Sequence, residues 1–84
     1  MGKTLAGKVV HYYDKIGVAI IDLSAALKEG DKISIEKDNE AFEQQVSSMQ
    51  AEHEKISSAK KGQSVGLKVS QPVKQNAQVF KVTG

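Results

Sequence analysis

The sequence contains two histidines, His11 and His53, and imidazole is a common metal ligand near neutral pH. If their strands were neighbours, the two rings could meet, and Asp14 or Glu52 would complete a minimal metal site. These positions lack the ligand spacing of known metal motifs. A strand histidine satisfied by hydrogen bonds is the simpler interpretation, so we expect neither a metal nor another cofactor.

An aromatic platform at Tyr12 is a second chemical possibility. Lys8 and Lys15 would supply a cationic rim and Val10 an apolar neighbour, as in small barrels that stack single-stranded nucleic acid. The alternative is an exposed tyrosine that covers one face of a sheet. Tyr12 and Lys8 are therefore candidate binding residues.

Catalytic motifs are absent from the sequence. No serine, lysine or carboxylate pair stands in a recognisable arrangement of nucleophile, base and orienting group. The phosphate-binding pattern G-x-x-x-x-G-K-[ST] does not occur either. We therefore expect neither enzymatic activity nor GTP binding.

Length and composition predict one soluble domain that spans residues 1–84. Cysteine is absent, which excludes disulfides and fits a cytoplasmic location. The longest apolar run, Ile16 to Leu23, is far shorter than the ~20 residues of a membrane helix, so we expect no membrane partner. Twelve lysines face ten carboxylates and arginine is absent, so any attraction to a polyanion would be weak and diffuse.

Alternation of apolar and polar residues predicts β-strands. Leu5 to Tyr13 and Val18 to Leu23 flank a short turn and predict a hairpin. In the first strand we expect Leu5, Val9, His11 and Tyr13 on one face and Lys8, Val10 and Tyr12 on the other. Because Val18 and Ile20 are also apolar, the second strand is either covered on both faces or carries an outward patch for a partner.

Two later strands each follow a glycine-containing turn, LKEGDKISIE at 27–36 and GQSVGLKV at 62–69. Gly30 can adopt the positive φ of a tight turn, and Asp31 can bond the turn's own amides. A short strand from Gln78 to Val82 comes last. The predicted core consists of the inward residues Val9, Ile21, Ile33, Ile35, Val65, Leu67 and Val69.

The segment from Glu40 to Lys61 gives conflicting signals. Its apolar residues recur at steps of four and three, and its composition favours a helix. However, the serine pairs at 47–48 and 57–58 interrupt this pattern, and strands flank it on both sides. Local pattern alone leaves helix and strands open.

The order and spacing of the blocks LKEGDKI, FEQQVSSMQ and AKKGQSVGL resemble the second domain of translational GTPases. The resemblance covers nearly the whole chain and implies a translation elongation factor-like protein. It implies a single closed antiparallel β-barrel of about six strands, with a pair of strands at 40–61. A bulge near Ser47 and Ser48 would turn both Val46 and Met49 inward.

In those factors this domain helps to hold the aminoacylated end of tRNA. The resemblance therefore implies a non-catalytic module that binds tRNA, another RNA or a translation-related protein, with a site around Gln50, Glu52 and His53. Gln50 stands where the family has a carboxylate, and the family's arginine has no counterpart, so RNA binding would be weak and lysine-only.

A second resemblance is to the small barrel at the C-terminus of U32 peptidase-like proteins. It implies an accessory protein-interaction barrel that acts beside an enzyme. Salt dependence of binding distinguishes the two hypotheses. Binding through phosphate contacts weakens steeply as salt rises, whereas binding through an apolar patch around Tyr12, Val18 and Ile20 would not.

Overall fold

The computed structural model describes residues 2–51 and 54–83, and this part of the chain contains strands and turns but no helix. The strands are β1 (Gly2–Tyr13), β2 (Val18–Leu23), β3 (Leu27–Lys28), β4 (Lys32–Lys37), β5 (Glu40–Gln45), β6 (Met49–Ala51), β7 (Glu54–Ile56), β8 (Ser58–Ala59), β9 (Ser64–Lys68) and β10 (Gln78–Thr83). Among these residues there is accordingly no helix of the length and hydrophobicity that crossing a membrane requires.

Eight strands form one antiparallel sheet in the order β5-β4-β10-β1-β2-β9-β6-β7, and β3 pairs with β8 separately. The structure thus confirms the predicted all-β antiparallel class. Neither the closed barrel nor its strand number is confirmed, since no ladder joins β5 to β7 and the described residues form ten strands instead of about six. Instead, the Gln44 side chain of β5 donates to Lys68 O and accepts from Ser70 N, each at 2.9 Å. This side-chain bridge holds β5 against the far end of β9.

All seven predicted core residues are buried, with exposed fractions between 0% and 7%. They pack in one cluster with further buried residues, Ala6, Ala19, Leu23, Leu27, Val46, Met49, Ala59, Val73, Ala77 and Val79. Alternation identified the core correctly because the apolar residues at every second position of these strands point to the buried face of the sheet.

The expected alternation along β1 is wrong on both sides of Val9. Leu5, expected on the face of Val9, is 45% exposed, and the pairing of β1 with β10 shifts between Leu5 and Gly7. The pairing of β1 with β2 shifts between Val9 and His11, so Val10 is an inserted bulge residue. After the bulge, Tyr12 packs against the core, whereas Tyr13 is 48% exposed. A one-residue insertion reverses the face of every later side chain.

Strands, not a helix, occupy the described part of the ambiguous segment, but there are four of them, β5 to β8, where the resemblance implied a pair. The chain pairs with β4 along β5, leaves the sheet at 46–48, and pairs with β9 along β6. The predicted bulge at Ser47 and Ser48 is therefore a break between two strands. Val46 and Met49 are both buried because the chain changes partner between them.

Candidate interaction surface

A groove of about 370 Å³ lies on the outer face of β2, β9 and β6. We call it the β2–β9 groove. Its lining is mostly apolar and consists of Tyr13, Ile16, Val18, Ile20, Gln50, Ala51, Ser64, Val65 and Gly66.

The groove arises from the unusual composition of β2. Ala19 and Ile21 point into the core and are fully buried, and Val18 and Ile20 lie on the opposite face, half-buried. Of the two alternatives that the sequence left open, the structure shows the outward patch. Opposite Ile20 stands Gly66, where an added Cβ would lie 3.3 Å from Val18 Cγ1. Because glycine has no side chain, this position leaves space in the groove between Val18 and Ile20.

The rim of the groove comes from the turn between β1 and β2. Gly17 N donates to Tyr13 O at 2.9 Å, which closes the turn and leaves Ile16 62% exposed. The His11 ring packs edge-on against Tyr13, with ring centroids 4.4 Å apart. The bulge at Val10 is what places both rings on the outer side of the sheet.

The predicted site residues do not form one cluster. Gln50 lines the β2–β9 groove, whereas Lys8 borders a separate depression with Leu5, Gly7, Asp22, Ser24 and Gln78. Tyr12 is half-buried against the core. Glu52 and His53 lie outside the described residues. The structure thus joins Gln50 to the apolar patch of Val18 and Ile20, with Tyr13 rather than Tyr12 as the aromatic neighbour.

The electrostatics of the groove favour binding over proton transfer. No lysine, histidine or carboxylate of the described residues lines it. At one end the Ser64 hydroxyl donates to the Asp22 carboxylate. No group of three potential metal ligands occurs in the described part of the chain, although His53 and Glu52 fall outside it. An apolar surface with polar groups at its margin is typical of protein interfaces.

A charged surface covers a different part of the sheet, over β4 and β10. Lys3 forms an ion pair with Glu36, and Ser34 Oγ donates to the same carboxylate at 2.9 Å. These two contacts lower the pKa of Glu36 below its ordinary value, and partial desolvation opposes them. Lys32 pairs with Glu43 at 3.2 Å. These two pairs neutralise Lys3, Glu36, Lys32 and Glu43 within the chain.

Sequence reasoning missed Tyr13, Ile16 and Gly66. The β1 bulge has no glycine or proline to mark it, so alternation placed Tyr13 on the core side. Ile16 and Gly66 were interpreted only as members of a turn and of a strand, and no binding role was inferred for either. The sequence did contain one indication of the groove: the apolar Ile16 in the turn precedes the apolar outward residues Val18 and Ile20 of β2.

Comparison with known proteins bears on the identity of the chain. No family model matches it. An uncharacterized protease of Methanocaldococcus jannaschii is 41% identical over 75 residues, which are 88% of this chain but 18% of that protein. The chain therefore spans about a fifth of the length of this curated relative.

Solved structures with a similar fold come from Geobacillus thermoleovorans. The C-terminal domain of a protein titled as a U32 peptidase superposes with a TM-score of 0.88 and 23% identity, over 95% of this chain and 93% of that one. Its selenomethionine variant gives a TM-score of 0.84, also at 23% identity, over 89% and 95%. At this identity the likeness shows a shared fold.

These comparisons overturn the predicted kinship with translation elongation factors, since the similar proteins carry the names of proteases and U32 peptidases. The physical reason lies in the blocks that suggested it. LKEGDKI and AKKGQSVGL encode two glycine turns that feed core strands, so they report a shared turn chemistry and not a shared partner. The expected tRNA site around Gln50 loses its basis with that resemblance. The chain is similar to one segment of a longer protease and to the C-terminal domain fold of a U32 peptidase.

Proposed function

We propose that the chain is a non-catalytic accessory domain of the U32 peptidase type, which binds the catalytic part of such a peptidase through the β2–β9 groove. The observation that carries this proposal is the 41% identity to a segment that makes up 18% of a protein named as a protease. In that relative the matching segment shares a polypeptide with the remaining four-fifths of the protein. A surface that contacts the remainder is therefore expected on the segment.

The groove supports the choice of surface. Val18, Ile20 and Ile16 present apolar area that the rest of this domain leaves partly exposed. Burial of such area stabilises an interface by roughly 25 cal/mol per Å² before the costs of association are subtracted. The proposal includes a cytoplasmic location, which a cysteine-free sequence permits.

Barrel-like closure is part of the same proposal. Gln44 spans the gap between β5 and the end of β9 with bonds from both ends of its amide. We take this bridge as the closing contact of a barrel whose ladder is incomplete. A closed shape would hold the groove strands rigid for a partner.

A binding experiment tests the function. The M. jannaschii protease is produced without its matching segment, and its association with this chain is measured by calorimetry. We expect association that Ile20→Lys weakens at least about tenfold, because a charge would enter an apolar contact. The isolated chain should show no peptidase activity on unfolded protein substrates.

Leu5→Lys provides the matched control. Leu5 is 45% exposed and lies outside the groove, so this variant adds the same charge to an apolar surface position elsewhere. It should bind like the wild type. Equal binding by wild type and Ile20→Lys, or no association at all, contradicts the proposal.

A further inference from the structure

A second cavity, of about 500 Å³, lies between β5 and the loop that leads into β10. We call it the β5 slot. It is lined by Ile35, Lys37, Asn39, Glu40, Ala41, Phe42, Gln71, Pro72, Val73, Lys74 and Ala77. It shares no lining residue with the β2–β9 groove.

Both walls of the slot are fixed. The loop is anchored to β1, since Asn76 N donates to Val9 O at 2.7 Å and Val9 N donates to Ala77 O at 2.8 Å. Gln44 ties β5 to Ser70 at one end of the slot. The β4–β5 turn forms the other end. The space between these ties is therefore preformed.

One wall of the slot is a sheet edge. Within the described residues β5 pairs with β4 and with no other strand. Alternate residues of an edge strand direct their N–H and C=O groups away from the partner strand, which makes the edge a template for another chain. Ala41 and Phe42 of this edge strand line the slot.

The chemistry of the slot is apolar at its floor and cationic at its margin. Ile35, Val73 and Ala77 are buried, and Phe42 is half-buried. Lys37 and Lys74 have no ion-pair partner among the described residues, and Glu40 is the single carboxylate of the lining. The margin therefore attracts negative charge.

We propose that the β5 slot binds an extended acidic peptide segment, which adds to β5 as a further strand. An apolar side chain of the segment packs over Val73 and Phe42. A carboxylate two residues further along the segment pairs with Lys74 and with Lys37, which lies on the same face of the β4–β5 ladder as Phe42. The apolar and the acidic residue of the segment stand two positions apart, because side chains at every second position of a strand point to the same side.

The slot proposal goes beyond the accessory role proposed above and does not depend on it. The apolar floor and the sheet edge supply affinity, and the lysines select for acidic segments. A cavity of this volume lies within the range of roughly 300–1,000 Å³ that holds small ligands. The slot therefore has room for a few residues of an extended chain.

Titration of the ¹⁵N-labelled chain with a blocked peptide that carries valine and glutamate two positions apart, with serine between them, tests this inference. We expect amide shifts confined to Ala41, Phe42, Val73 and Lys74. The double variant Lys37→Glu and Lys74→Glu should bind about tenfold more weakly, since two attractions become repulsions. A peptide with lysine in place of glutamate should lose a similar factor.

Two controls separate the parts of the proposal. Lys55→Glu and Lys60→Glu carry the same charge change on β7 and beside β8, and together they should alter affinity less than about twofold. A backbone N-methylated peptide should bind much more weakly because it cannot pair with β5. Equal affinity of the double variant and wild type overturns the charge assignment, and equal affinity of the N-methylated peptide overturns strand addition. Ile20→Lys should leave this binding unchanged, so failure here is distinguishable from failure of the groove.

Discussion

Two turn–strand units of the molecule, residues 27–36 and 59–68, have the same backbone design. Gly30 and Gly62 occupy the same turn position with φ of 94° and 91°. In the first turn Lys28 N donates to Asp31 Oδ2 at 3.0 Å, and in the second Lys60 N donates to Gln63 Oε1 at 2.7 Å. The two units meet at the β3–β8 pair, where Leu27 stands opposite Ala59.

The reciprocal backbone bonds of the two units are also equivalent. Gly30 N donates to Val46 O and Val46 N donates to Asp31 O, each at 2.8 Å. Gly62 and Gln63 make the same two bonds with Leu23, each at 2.9 Å. Each turn thus fastens a buried residue from another part of the chain.

The outer faces of the two strands differ. On β4, Ser34 is 3% exposed and lies between Phe80 and Glu43 in the ladder, within a surface of matched charges. On β9, the equivalent position is Gly66, which lies between Ile20 and Gln50 in the apolar groove. The turns and inward residues determine the fold, and the outward residues determine what each face can bind.

The largest effect is expected from the core residue that follows each turn. Leu67→Ala should lower the free energy of unfolding by about 2–5 kcal/mol, because Leu67 is fully buried. Ile35→Ala should lie at the lower end of this range, since Ile35 also lines the open β5 slot. Urea unfolding measures both values, provided that the dependence of the unfolding free energy on urea concentration is the same in the variants and the wild type. If Leu67→Ala lowered the free energy of unfolding less than Ile35→Ala does, the expected difference between the two strands would be wrong.

The side-chain hydrogen bonds within the two turns, to Asp31 and to Gln63, should contribute unequally to stability. Asp31 accepts from Lys28 N and also lies 3.4 Å from Lys81 Nζ, so Asp31→Ala should cost about 1.5–3 kcal/mol. Gln63 makes a neutral bond at an exposed position, and Gln63→Ala should cost about 0.5–1.5 kcal/mol. Chemical denaturation in low and high salt measures the difference. The Asp31 effect alone should shrink as salt screens the Lys81 pair.

Alanine at either turn glycine should cost the same. An added Cβ at Gly30 or Gly62 meets no atom within 4 Å, so the penalty is the left-handed backbone alone, about 1–2 kcal/mol. Asparagine, which tolerates positive φ better, should restore part of the loss at both positions. Thermal unfolding of the four variants is the measurement. Penalties that differ by more than about 1 kcal/mol would show that the turns are not equivalent.

Much of this equivalence could be predicted from the sequence. Gly30 and Asp31 have the residue types that a tight turn requires, and the strands after both turns alternate cleanly. Alternation over Ile33, Ile35, Val65 and Leu67 therefore identified the core. These features depend on neighbours along the chain, which a sequence displays directly.

The site could not be predicted in the same way. The groove depends on the bulge at Val10, which moves Tyr13 outward, and on the pairing of β9 with both β2 and β6, which sets Gly66 beside Gln50. The β5 slot depends on the gap between β5 and the loop at 71–77, which are far apart in the sequence. Such features arise from tertiary pairing and leave no periodic pattern.

The smallest effect concerns the charged face of β4. Lys3 and then Ser34 lower the pKa of Glu36 from its ordinary value of 4.5, so the folded state binds a proton there less readily than the unfolded chain. The resulting stabilisation is fully present above 4.5 and is lost as the pH falls through the lowered pKa of the folded state. Glu36→Gln should remove this loss on acidification, and Ser34→Ala should reduce it. Urea midpoints measured from neutral pH to pH 2 test both variants. If Glu36→Gln follows the wild-type acid profile, the ion pair with Lys3 adds nothing to stability.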